Sequence, residues 1–191
     1  MITEKILQLK VSLLNSKPTI WRRIQVSNET LLPDLHKIIQ TTMGWTNSHL
    51  HQFVYEGLIY MEPDPMDELD SKDYRKVSIA QLLKKGKDKI LYEYDFGDGW
   101  MHEILLEKIL KKEEYQIYPI CVSGENACPP EDCGGIPGYR NLVEVISNPK
   151  HEEYQEWMEW LGGKFDPEAF DKEEINEMLT SEDFGVITFL D

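Results

Sequence analysis

The sequence predicts an α+β fold, and three observations carry that expectation. Leu7, Leu9, Val11 and Leu13 alternate with Gln8, Lys10 and Ser12, the period-two signature of a half-buried strand. Leu31, Leu32, Leu35, Ile38, Ile39 and Met43 then share one helical stripe, as an amphipathic helix requires. Past residue 138 the patterning is helical, with short stripes interrupted by Gly and Pro.

The elements follow in chain order. Asn15, Ser16, Lys17 and Pro18 form a turn. Residues 20–26 read as a second strand, with Ile20, Ile24 and Val26 on one face and Arg22 among them. An arginine there needs an ionic partner or a stem that reaches water. Thr30 is the expected N-cap of the helix and Gly44 its stop. Residues 49–55 read as a strand that aligns His49, His51, Phe53 and Tyr55. Glu56-Gly57 turns it into a short partner at 58–61, and the acidic stretch 62–74 reads as an exposed loop. Ser78 starts a short helix through Leu83. Residues 89–96 and 100–110 form a hairpin closed by Asp98-Gly99. Strand, strand, helix, strand, strand, short helix, strand is the order of a β-grasp fold. The expectation is therefore a β-grasp-like mixed sheet extended by a hairpin strand, with a helical C-terminal lobe. Helices are expected at 139–146 and 152–161, with short ones starting at Asp166-Pro167 and Asp171, and a last strand at 185–190. Residues 1–191 read as one domain: a β-grasp-like part to 112, a Cys/Pro/Gly-rich loop over 113–138, and the helical lobe.

Composition narrows the function. With 35 acidic and 20 basic residues the formal charge is −15, which repels a phosphate backbone and argues against nucleic-acid binding. The basic runs at Arg22-Arg23, Lys84-Lys85-Gly86-Lys87, and Lys108 with Lys111-Lys112 read as solvated edges. No apolar run nears the roughly 20 residues that span a bilayer, and the N-terminus lacks a signal-peptide layout. The expectation is a cytoplasmic protein without membrane contact. Three closely spaced cysteines fit reduced thiols or a metal site better than a disulfide framework.

Several motifs are specific enough to resemble a family. Pro18-Thr19-Ile20-Trp21-Arg22-Arg23-Ile24, Leu35-His36, Met43-Gly44-Trp45 and His49-Leu50-His51-Gln52-Phe53 are four of them. Others are Tyr94-Asp95-Phe96-Gly97-Asp98-Gly99-Trp100 with His102, Cys128-Pro129-Pro130-Glu131-Asp132-Cys133-Gly134-Gly135, and Asp166-Pro167-Glu168-Ala169-Phe170. Together they resemble the Ri-plasmid ORF-three-like family of uncharacterised proteins over nearly the whole chain. The resemblance implies no established activity. The resolvase-like label sometimes given to members finds no serine nucleophile with clustered arginines here.

Four constellations could carry chemistry. Six residues separate Cys121 from Cys128, and four separate Cys128 from Cys133. These thiolates with His102 as fourth ligand, or His49 or His51 in its place, suit zinc. His49, His51 and His102 with Asp95, Asp98, Glu131 or Asp132 suit a catalytic metal with open positions. Cys128 or Cys133 beside a histidine would be a nucleophile. Arg22, Trp100, Glu131 and Asp132 are candidates for a partner surface, and Trp157 and Trp160, three apart on one helix, place one indole inward and one at the margin. The favoured function is a non-enzymatic binding or adaptor module with a protein partner or small cationic ligand and a rigid loop, held either by inward-packed cysteines or by zinc. The alternatives are a metal-dependent, hydrolase-like enzyme and a DNA-associated plasmid accessory protein.

Overall fold

The alternating N-terminal stretch becomes β1 (Lys5–Leu13), which turns back into β2 (Trp21–Ser27). The computed structural model describes residues 4–63 and 71–186. The remaining elements are α1 (Leu32–Met43), β3 (His51–Tyr55), β4 (Leu58–Met61), β5 (Ser71–Asp73) and α2 (Ile79–Leu82), then β6 (Lys89–Tyr94), β7 (Trp100–Lys111) and β8 (Ile120–Glu125). The helices α3 (Gly135–Ile146), α4 (Tyr154–Trp160) and α5 (Lys172–Leu179) and a 3-10 turn at Glu182–Gly185 complete the described chain. The α+β class with a mixed sheet is therefore the fold the chain adopts.

The strand order is β5-β4-β3-β6-β7-β1-β2-β8, antiparallel throughout except for the parallel β4–β5 pair. The hairpin strand β7 does not extend an edge as expected. It lies in the middle, pairing β6 on one side and β1 on the other. Its alternating Trp100, His102, Ile104 and Leu106 are all buried, so an edge position would leave an apolar row beside unpaired backbone. β8 occupies part of the expected loop at 113–138, and β5 part of the expected loop at 62–74. The expected strand at 185–190 falls largely outside the described residues.

Residues directly opposed across the ladders share a face. Leu9 faces Ile24 and Leu106, Val11 faces Ile104, Leu13 faces His102, and Phe53 faces Tyr92. This face meets the stripe of α1, with Leu32, Leu35, Ile38 and Ile39 buried against it. The other face is half-solvated. There the Glu107 carboxylate accepts from Arg23 Nε at 2.6 Å and Nη2 at 2.8 Å, while Lys10 and Arg23 lie over the Trp21 ring.

Local signals account for several ends. Gly44 ends α1 at φ 84°, and its N–H donates to the Gln40 and Thr41 carbonyls. Thr30 is not the cap: Leu31 holds that position with no side-chain bond, and Pro33 sits in the first turn. Ser78 and Gln81 form a capping box on α2, and the Asp171 side chain caps α5 by accepting from Glu174 N–H. The β6–β7 turn runs from Asp95 to Gly99 rather than closing on Asp98-Gly99, and Gly99 N–H donates to Asp95 O at 2.6 Å.

Arg22 is buried at 3% exposure. Its Nε donates to the Thr42 carbonyl at the end of α1, and its Nη1 donates to the Trp21 and Glu125 carbonyls. The Phe170 ring covers the guanidinium at 4.8 Å. Outside β8, Asn176 of α5 accepts from Cys121 N–H at 2.7 Å and donates to Cys121 O at 2.9 Å.

A Cβ on Gly124 would lie 2.6 Å from the Phe170 ring and 2.9 Å from Arg22 Cδ. Gly124→Ala is expected to lower stability by about 1–3 kcal/mol, measured by urea denaturation. In Phe170→Ala the same change should cost less, because the closer of the two clashes is removed and only that with Arg22 Cδ remains.

Candidate functional site

The site grows from the loop after α1. β3 starts at His51, so His49 is not on the strand beside His51 as expected but in the loop before it. Glu131 pulls this loop against the Cys/Pro/Gly-rich segment. Its Oε2 accepts from Thr46 N–H at 3.0 Å and Thr46 Oγ1 at 2.6 Å, and its Oε1 from the Tyr94 hydroxyl at 2.5 Å. Ser48 N–H donates to Tyr94 Oη, and Trp45 Nε1 donates to Pro129 O at 2.9 Å. Asp98 ties down the far end, accepting from Gly134 N–H at 3.1 Å. Gly135, at φ 65°, must be glycine, since a Cβ would stand 2.4 Å from Asp98 O.

His49 thereby meets two carboxylates. Its Nε2 lies 3.3 Å from Asp132 Oδ1 and 3.9 Å from Asp95 Oδ2. Among the described residues this is the one group of three His, Cys, Asp or Glu donors within 4.8 Å of one another. Asp95 is held from below: its N–H donates to Leu50 O, and its Oδ1 accepts from Gly97 N–H at 2.9 Å. That leaves Oδ2 for His49. The His49 Nε2 is sealed from solvent and has no hydrogen-bond partner.

The other predicted residues lie elsewhere. His51 stacks on His36 with ring centroids 3.4 Å apart and shares a hydrogen bond with Tyr74 Oη. His36 Nε2 donates to Asn47 Oδ1 at 2.6 Å, so its Nδ1 accepts from Tyr92 at 2.8 Å in the neutral tautomer. His102 is fully buried between Trp45 and Tyr92, and neither ring nitrogen has a partner. Burial lowers the pKa of His36 to about 4, of His51 to about 2 and of His102 to about 4. All three thiols are free and buried, and His102 does not join them in a shared donor group among the described residues. Burial pushes Cys121 up to about 11 and Cys133 to about 12, and raises Cys128 further. Such thiols are poor nucleophiles. Arg22 and Trp100, expected on a partner surface, are both buried. Glu131 is half-buried in its clamp, and Asp132 is exposed.

Asp132 also lines a cleft of ≈ 260 Å³ with Asn141, Glu153, Glu156, Trp157 and Trp160. The two indoles meet edge-on at 5.4 Å, with Trp157 half-buried and Trp160 47% exposed. Glu153 and Glu156 escaped the sequence reading. Their signal was the helical spacing of 153, 156, 157 and 160, which stacks two carboxylates and two indoles on one face.

The model of the plasmid pRiA4b ORF-3-like protein family matches residues 5–174. The chain belongs to this family. It is 34% identical over 176 residues to the uncharacterized protein y4hQ of Sinorhizobium fredii, covering 91% of this chain and 90% of that one. The crystal structure of a protein of unknown function, MM3350 from Methanosarcina mazei Go1, superposes with a TM-score of 0.82 at 38% identity. It covers 90% of this chain and 98% of its own. Among the described residues no helix of this family member is long and apolar enough to cross a membrane.

Two tests follow from the buried groups. The unfolded chain protonates its imidazoles near pH 6.5, while the folded chain holds His36, His51 and His102 neutral to lower pH. Stability is therefore present above about pH 6.5 and falls as pH drops toward 4, by up to about 1.4 kcal/mol per pH unit per imidazole. His102→Phe should flatten this slope by one such share in urea titrations run from neutral to acid pH. All three cysteines should react slowly with Ellman's reagent in the native protein and fully after denaturation.

Proposed function

We propose that the protein is a binding module for a basic segment of a protein partner, with a lysine or arginine side chain entering the cleft between Asp132 and α4. The observation that carries this reading is the lining itself. Asp132, Glu153 and Glu156 supply carboxylates, and Trp157 and Trp160 supply indole faces. Carboxylates attract a cation, and an indole face binds one through its quadrupole while covering an aliphatic stem. The volume, ≈ 260 Å³, is below the ~300–1,000 Å³ of usual small-molecule sites and suits one long side chain.

Charge and surface chemistry support a macromolecular partner. The formal charge of −15 favours encounter with a basic surface. Leu50, 69% exposed, and Phe96, 43% exposed, follow His49 and Asp95 directly in the chain and offer apolar contacts near the same rim. The imidazoles of His36, His51 and His102 and the three thiols contribute differently: they are buried, neutral and packed, and support a rigid frame.

Titration with an acetylated Lys-Arg-Lys amide peptide, followed by tryptophan fluorescence, tests the reading. Saturable binding that weakens with salt is expected. Trp160→Ala and Glu156→Gln should each weaken it by about tenfold, or ~1.4 kcal/mol, with unchanged circular dichroism. Equal binding of a matched Glu-rich peptide, wild-type affinity in both variants, or no saturation would each overturn it.

A further inference from the structure

We infer that His49, Asp95 and Asp132 form a binding site for a divalent transition-metal ion of the zinc–manganese class. The His49 Nε2 is buried and makes no hydrogen bond, although two carboxylate oxygens stand 3.3 Å and 3.9 Å away. A buried nitrogen facing two acceptors with no bond formed calls for an explanation. A cation between the three atoms supplies one.

The spacing fits. Nitrogen and oxygen ligands sit about 2.0–2.2 Å from such an ion, which places neighbouring donors on the order of 3–3.5 Å apart. The two separations from His49 need only a small inward movement, all three donors lie within 4.8 Å of one another, and Asp132 can move, because its side chain is 71% exposed. Asp95 cannot swing away, because Gly97 N–H holds its other oxygen. The charge fits as well: one neutral imidazole and two carboxylates offset a dication. Imidazole with carboxylate is the donor set of borderline ions, whereas calcium and magnesium prefer oxygen alone. Exposure of Asp132 gives an entry path, and water can complete the coordination shell.

The three donors come from separate segments: the loop before β3, the end of β6, and the segment before α3. A bound ion would cross-link them and fix the Asp132 wall of the cleft. The inference does not rest on the cleft's occupant, since neither Glu156 nor Trp160 belongs to the three-donor group.

The test uses full-length, tag-free protein stripped with EDTA and titrated with cobalt(II) and zinc(II). Binding of one equivalent is expected, with weak visible cobalt bands and no intense thiolate charge-transfer band. His49→Gln and Asp95→Asn should each weaken it by about tenfold or more, while Trp160→Ala leaves it unchanged. His49 is partly exposed, so His49→Gln remains informative should Asp95→Asn fail to fold. A thiolate band would move the ion to the cysteines and overturn the assignment. Wild-type affinity in His49→Gln, or no binding up to millimolar metal, would overturn it too.

Discussion

The fold is organised around one buried cation. Arg22 lies on the apolar face of β2, where a charge is costly unless its donors are satisfied. Its guanidinium meets that demand with carbonyls from three places: the end of α1, its own strand, and the end of β8. Phe170 covers the remaining plane. Burial lowers its pKa from the usual arginine value, but arginine stays charged in proteins. Helix, sheet and C-terminal lobe are thus joined at one side chain, and Gly124 leaves the room in which the aromatic ring can approach.

A second constraint acts just beyond the same end of α1. Glu131 replaces the backbone pairing that Thr46 lacks, and brings the segment before α3 against the ends of β3 and β6. His49, Asp95 and Asp132 meet because that carboxylate is shared between Thr46 and Tyr94. Around it the imidazoles of His36, His51 and His102 are kept neutral by burial, so this end of the sheet is a packed aromatic wall. Its exposed polar groups lie at the rim formed by Asp132 and α4.

Much of this architecture was legible in the residues. β1, β2, β6, β7 and the α1 stripe follow from periodicity, because one face of each is apolar. β8 was hidden: Ile120–Glu125 contains Ser123 and Gly124 and buries only Cys121 deeply. The central position of β7 was equally hidden, since pairing between β1 and β7 joins residues about a hundred positions apart, and local pattern carries no such information. The dense motifs around residues 94–102 and 128–135 fall where backbone and side chains converge. What it did not tell was which groups face each other. His49 and His51 are two apart, yet one ends in the loop by Asp95 and the other in a stack with His36, because the strand starts between them. Trp157 and Trp160 were separable as inner and outer indoles from helical spacing alone, and Glu153 and Glu156 could have been read the same way.

Asn176 has a consequence for how the molecule coexists with its own copies. A terminal strand offers a row of free amides and carbonyls to any passing strand. On β8 the side-chain amide of Asn176 occupies both groups of Cys121, mimicking the neighbour that a ninth strand would be. At the opposite end, β5 spans only Ser71–Asp73 among the described residues, a short ladder to template. On the β8 border this side chain takes the place of a strand at Cys121 and blunts pairing with the edge of another copy.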